Sequence, residues 1–124
     1  LSAMRQGETV GIQLDTNMTP PQCVFVPFFG TEACTASGLA RVAQRTGAAV
    51  LPGFLVWEGS EGRYVLHFGE EIALVRTGDD ERDTVENTTR FTAAIEGYIR
   101  RYPDQWLWVH RRWKTRPAGE SPVY

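Results

Sequence analysis

"AVLPGFLVW", residues 49–57, carries no charged or amide side chain. A run this short and this uniformly apolar is what a strand buried on both faces of a parallel sheet requires. Working upstream, Gly47 stands where a helix would stop, and Leu39, Val42, Ala43 and Thr46 recur at helical spacing, with Thr35 placed to cap the start. Before that, "TVGIQL" (9–14) alternates Val10, Ile12 and Leu14 against Gly11 and Gln13, a strand with one apolar face, and Asp15 stands at its C-terminal end. Strand, helix and strand in this order predict a right-handed crossover.

The remaining segments fit around that unit. "LSAMRQ" reads as the last turn of a helix, Leu1 to Gln6, stopped by Gly7. A natural beginning would more often show a methionine and a polar tail, so the chain is expected to be a piece of a longer polypeptide. "TNMTPPQC" (16–23) is a loop, because consecutive prolines neither donate to a ladder nor continue a helix. "VFVPFFG" (24–30) is apolar, but Pro27 makes it an extended, irregular or edge segment. "RYVLHF" (63–68) and "IALV" (72–75) read as two further strands around Gly69. A long helix is expected from about Thr84 to Arg101, with Thr88, Phe91, Thr92, Ile95, Tyr98, Ile99 and Tyr102 as its inner stripe, and Pro103 ends it. "PDQWLWVH" (103–110) is then a short helix or turn. Residues 1–117 would form part of a single domain and 118–124 a flexible tail.

Composition narrows the function. The chain has 124 residues and net charge −2, so no strongly basic surface invites nucleic acid. Charge is unevenly placed, however: within 103–116, Arg111, Arg112, Lys114 and Arg116 against Asp104 give +3, leaving −5 for the rest. A local anion contact is therefore compatible with the sequence. Cys23 and Cys34 have no CxxC spacing and no histidine pairing for zinc, and read as reduced thiols. No apolar run reaches the ~20 residues of a membrane span.

Few residues carry chemistry. His67, on the strand face opposite Tyr64, Leu66 and Phe68, reads as solvent-exposed or hydrogen-bonded, and with Glu70 and Glu71 it matches no metal pattern. Asp15 is either a ligand-facing carboxylate at a strand end or the start of an Asx-turn. Phe25, Phe28 and Phe29 either pack on the crossover helix or wall an acyl-sized groove. The glycines of "GTEACTASG" lack the phosphate-loop lysine and the dinucleotide spacing, and no GxSxG elbow is present. "QWLWVHRRWKT" (105–115) sets tryptophans beside guanidinium groups. If helical, it would put Trp106 and Trp113 on one face. It is either an interfacial patch for headgroups or an anionic ligand, or a core-packing segment with snorkelling arginines.

The ordered set "VGIQLD", "VFVPFFG", "ASGLARVAQRTGAAVLPGFLV", "GRYVLHF" and "QWLWVHRRWKT" resembles the C-terminal part of the bacterial lipid A biosynthesis acyltransferases, the late lauroyl or myristoyl transferases of the lysophospholipid acyltransferase superfamily. The resemblance covers roughly residues 1–117. It departs from the family after the first strand, where Asp15 is followed by Thr16 and Asn17 in place of the usual Asp-Gln. The resemblance implies an α/β fold, a mixed, mostly parallel sheet flanked by helices in a glycerol-phosphate acyltransferase-like sandwich, of which this is the C-terminal portion only. The parent would act at the cytoplasmic face of the bacterial inner membrane, in lipopolysaccharide synthesis. It would transfer a fatty acyl chain from acyl carrier protein or acyl-CoA to a hydroxyl of a glycolipid acceptor, with no cofactor or metal. Its chemistry would use a His-x4-Asp or His-x4-Glu dyad, the histidine as general base and the acid holding its tautomer. The fifth residues after His67 and His110 are Ile72 and Thr115, so no catalytic residue is expected here. The dyad would lie upstream of Leu1, and the piece alone would be inactive. Asp15, Phe28, Phe29, Gly30, His110, Arg111, Arg112 and Lys114 are the expected substrate-binding residues, and Trp106, Trp108 and Trp113 the expected membrane contacts. A homodimer through an exposed sheet edge, or a non-catalytic lipid- or protein-binding module on the same half-fold, are the further expectations.

Overall fold

Two antiparallel hairpins and two long-range helix contacts organise the protein in a computed structural model that describes residues 2–124. The elements are α1 (Ser2–Arg5), β1 (Cys23–Phe28), β2 (Thr31–Ala36), α2 (Gly38–Thr46), β3 (Gly53–Glu58), β4 (Arg63–Phe68) and α3 (Asp80–Arg101), followed by a 3-10 turn at Pro103–Gln105. The turn of helix expected before Gly7 is α1. Leu1, part of that expectation, lies outside the described residues.

The expected mixed, mostly parallel sheet is not what the described residues form. β1 pairs antiparallel with β2, and β3 with β4, as two separate two-stranded sheets. Residues 9–14 join no ladder. Leu14 is buried while Val10 and Ile12 are each 45% exposed. Alternation in "TVGIQL" reports which face is apolar, and it cannot supply the partner strand. The run 49–57 likewise has apolar side chains on both faces, yet in β3 only Val56 is buried and Leu55 is 64% exposed.

"VFVPFFG" opens a hairpin that local patterning conceals. Phe28 pairs with Thr31 across a two-residue turn in which Phe29 (φ 52°) and Gly30 (φ 76°) are both left-handed. A two-residue hairpin needs such a turn to match strand twist. The turn carries Phe-Gly in place of the usual Asn-Gly. "TEACTA" is thus β2, and Thr35 is a strand residue instead of a helix cap. Its hydroxyl donates to the Ala33 carbonyl, and α2 begins after Ser37. Gly47 (φ 72°) ends α2 as expected, its N–H donating to the Ala43 carbonyl.

α3 begins a turn earlier than its apolar stripe suggests. Asp79 caps it by accepting the Arg82 N–H, and Asp80, Glu81 and Asp83 complement the helix dipole. Its inner face is unusually polar for a buried one, with Thr84, Thr88 and Thr92 enclosed. Each hydroxyl donates to the carbonyl four residues back, so no donor is stranded. Asn87 holds the segment expected to be strand 72–75. Its carboxamide accepts the Val75 N–H and donates to the Val75 carbonyl, doing for one residue what a ladder partner would do.

Leu14, Ala40, Ala43, Val50 and Phe91 form one core cluster; Phe28, Ala33 and Ile99 form another, and Ile95 adjoins both. The β3–β4 hairpin reaches α3 through Phe54, stacked on Tyr98 at 3.7 Å, and His67, edge-on to Tyr98 and Tyr102 at 6.1 and 6.0 Å. The face expected to be the less apolar, solvent side is therefore the covered one, and Tyr64, Leu66 and Phe68 are 64%, 55% and 67% exposed.

Asp83 fastens the entry to α3. The Thr77 hydroxyl donates to it at 2.7 Å and holds the carboxyl below the usual range against the cost of burial, aided by the N–H groups of Thr77 and Gly78 and by Arg82. A carboxylate with a depressed folded pKa stabilises above its unfolded value near ~3.9 and loses that contribution as pH falls through the folded value. Asp83→Asn should therefore lower the urea midpoint at neutral pH and flatten its decline on the acid side. An unaltered acid limb would contradict this account.

Candidate functional site

The closing segment is not the helix considered from its spacing. After the 3-10 turn it advances by tight turns, with the Trp108 N–H donating to Trp106, His110 to Leu107, and Arg112 to His110. Trp106 and Trp113 nevertheless converge, because both rings flank Phe28 at 5.6 Å. The Trp113 indole N–H is shared between the carbonyls of Phe28 and Thr31, each at 3.3 Å.

Arg112 lies beneath them with 0% exposure. Its Nη1 donates to the Cys34 carbonyl at 2.9 Å and its Nη2 to the Thr35 hydroxyl at 2.5 Å, with the guanidinium 5.2 Å from the Phe28 ring centroid. Burial lowers its pKa, opposed first by the attraction of Asp15. The Nε has no hydrogen-bond partner among the described residues. Cys34, beside it, is itself enclosed: burial and the hydrogen bond with Cys23, 2.6 Å away, push its thiol up to about 12.

The loop after Leu14 is sewn to the same segment. The Asn17 N–H donates to His110 Nε2 at 2.9 Å, which leaves the ring proton of a neutral His110 on Nδ1. The Asn17 carboxamide donates to the Thr115 hydroxyl and accepts the Thr115 N–H, both at 3.0 Å. Beside it, Asp15 lines a groove of about 470 Å3 between residues 12–15 and 51–55, whose lining also includes Phe91, Ile95, Gln105 and Trp106. That volume falls within the roughly 300–1,000 Å3 of small-molecule sites. One wall is the free edge of β3. There Gln105 accepts the Trp57 N–H at 2.7 Å and donates to the Trp57 carbonyl at 3.0 Å, occupying at that residue the place of a neighbouring strand.

At the hairpin tip, the left-handed Phe29 is held from α3. Its N–H donates to Glu96 Oε2 at 2.7 Å, and Arg100 lies 4.8 Å over its ring. Burial would raise the Glu96 pKa, but the Phe29 N–H and Arg100 prevail and keep it low.

Of the residues singled out by sequence, Asp15 lines the groove, Phe28 is core, Phe29 is half-buried, and Gly30 is exposed in the turn. His110 is half-buried, whereas Arg111 and Lys114 are exposed. Arg112 is closed off from any ligand in bulk water. Trp106 and Trp113 face inward, and Trp108 alone of the three is more than half exposed, at 52%. Sequence reasoning missed Asn17, Glu96 and Gln105, whose bonds span 67 residues or, for Gln105, 48 and, for Asn17, 93.

Comparison with known proteins agrees with the closing signature. Residues 1–115 match the family described as bacterial lipid A biosynthesis acyltransferase. The chain is 33% identical over 125 residues to the lipid A biosynthesis palmitoleoyltransferase of Escherichia coli K12, covering 100% of this chain and 39% of that protein. To the lauroyltransferase of the same strain it is 34% identical over 127 residues, covering 100% of this chain and 40% of that protein. To the myristoyltransferase it is 26% identical over 124 residues, covering 100% and 37%. The chain thus spans about two fifths of the length of the curated relatives it matches.

Arg112→Met, which keeps the stem and removes both donors, should cost about 2–4 kcal/mol of unfolding free energy, since two buried acceptors lose a charged partner. Arg111→Met should stay within about 0.5 kcal/mol. Urea titration of the two variants checks this, and equal midpoints would refute the assignment of Arg112 as the buried strut.

Proposed function

The chain belongs to the bacterial lipid A biosynthesis acyltransferase family, and on that premise we propose that it forms the C-terminal part of a membrane-associated enzyme of lipopolysaccharide synthesis. The parent transfers a fatty acyl chain from acyl carrier protein or acyl-CoA to a hydroxyl of a lipid A precursor or related glycolipid, at the cytoplasmic face of the inner membrane. The acceptor hydroxyl attacks the thioester carbonyl, an ester C–O bond forms, the C–S bond breaks, and the thiol leaves with the proton.

The observation that carries this reading is the groove, lined mostly by apolar side chains with Asp15 among them. The base is not His110, whose Nε2 already accepts the Asn17 N–H. The catalytic dyad belongs, in this proposal, to polypeptide outside the chain. Asp15 borders the cleft, while Phe29 and Gly30, at the tip of the β1–β2 hairpin, are offered to the acceptor from outside it. His110, Arg111 and Lys114 face the acceptor phosphates or the acidic carrier. Phe28 and Arg112 act through the residues they support. Residues 1–117 serve as part of one domain with 118–124 as its tail.

A non-catalytic lipid- or protein-binding module is the second reading, favoured by the lack of an acid five residues after either histidine. Self-association through the part of the β3 edge that Gln105 leaves open is its natural companion.

Arg111→Ala with Lys114→Ala, made in the protein that carries this chain, should raise the acceptor KM roughly tenfold, the scale of one lost charged hydrogen bond, while the melting temperature holds. Transfer from an acyl carrier thioester to a lipid A precursor measures it. An unchanged acceptor KM would sink the anion role, and absence of any product with acceptor binding retained would favour the module.

A further inference from the structure

Leu107, Trp108 and Val109 form the most exposed apolar stretch of the protein's described residues, at 68%, 52% and 84%. They are consecutive, and they are held out deliberately by what flanks them. On one side Trp106 packs against Phe28; on the other Arg112 is buried beneath it. Between these anchors the backbone closes on itself through the Trp108 and His110 N–H bonds, and the Trp108 indole N–H donates to the Pro103 carbonyl at 2.5 Å. The turn is therefore rigid, and little ordering entropy would be lost when its side chains bind.

The charges around it are mostly positive. Arg101, Arg111 and Lys114 are exposed, and none has a carboxylate within ion-pair distance among the described residues. Arg100 extends over Phe29, whose ring lies 6.1 Å from Trp108. Of the nearby acids, Glu96 is taken up by Arg100 and the Phe29 N–H, leaving Asp104. The other bare apolar face, Leu55, Trp57, Tyr64, Leu66 and Phe68 on the β3–β4 hairpin, contrasts with this: apart from Arg63, which pairs with Glu61, the turn and strand ends bounding it carry Glu58, Glu70 and Glu71.

We propose that the Leu107–Trp108–Val109 turn inserts into the headgroup layer of an anionic membrane while Arg111 and Lys114, next to it in the closing segment, contact lipid phosphates. Apolar side chains reach the acyl boundary and an indole takes the interface, the division of labour that interfacial segments use. Trp106 and Trp113 leave the contact, and Leu107 and Val109 enter it. The assignment rests on the acyltransferase reading only for where such a membrane is met.

Co-sedimentation of the full chain with phosphatidylcholine vesicles, with and without phosphatidylglycerol, tests the proposal without any acyl substrate, so it stands or falls independently of transfer activity. The protein should bind the anionic vesicles preferentially and release in salt. Leu107→Ser with Val109→Ser should weaken binding roughly tenfold or more at an unchanged melting temperature. Brominated lipid should quench tryptophan emission in the parent and less in Trp108→Phe. Leu66→Ser with Phe68→Ser should bind like the parent. Undiminished binding by the Leu107/Val109 variant, equal binding to neutral vesicles, or loss of binding in the Leu66/Phe68 variant would each overturn it. So would a lowered melting temperature in the Leu107/Val109 variant, which would place those side chains in packing, or binding to an acidic carrier protein with none to vesicles.

Discussion

A guanidinium sealed from water needs its charge and its donors answered from within, and Arg112 meets most of that demand, all but its Nε, by fixing the chain around it. The Cys34 carbonyl and Thr35 hydroxyl accept from it, the Phe28 ring faces it, and the Asp15 carboxylate supplies opposing charge. Satisfying one buried cation thereby positions the β1–β2 hairpin, the loop after Leu14 and the closing segment together. Trp106 and Trp113 then close over Phe28, and what remains outside is decided: Arg111, Lys114 and the turn between the two anchors.

Enclosed and presented residues divide sharply along the closing segment. A polar strut holds the interior, an apolar slot runs beneath Asp15, and cations lie on the outside beside aliphatic side chains. The β3 wall of that slot shows how a strand edge can stay open without inviting indiscriminate pairing. Gln105 covers the Trp57 backbone groups.

Much of this was legible in the residues because it is local. Gly47 ends α2, and the three- and four-residue steps of Thr88, Phe91, Thr92 and Ile99 face inward along α3. "VFVPFFG" and "QWLWVHRRWKT" carried the family. The sheet was misread because an apolar run tells how many faces are greasy and nothing about which are covered, so Leu55 and Leu66 were given a burial they lack. β2 escaped notice because a Phe-Gly turn has no propensity signal. Its left-handed Phe29 is kept in place by Glu96, 67 residues away. Arg112 and Arg111 are adjacent and identical in type, and only the position of Cys34, 78 residues distant, makes one a strut and the other a surface charge.

That separation has a temporal side. During synthesis the first hairpin leaves the ribosome long before residue 112, so the Cys34 carbonyl and Thr35 hydroxyl stay hydrated while α2, the second hairpin and α3 are made. The bonds from Asn17 to His110 and Thr115 span 93 and 98 residues and wait equally long. Closing such loops costs chain entropy that local contacts cannot repay in advance, which places docking of the last strut late and makes it the step that commits the fold. A nascent chain halted before Arg112 would lack the one cation that brings the first hairpin, the loop after Leu14 and the closing segment to a common register.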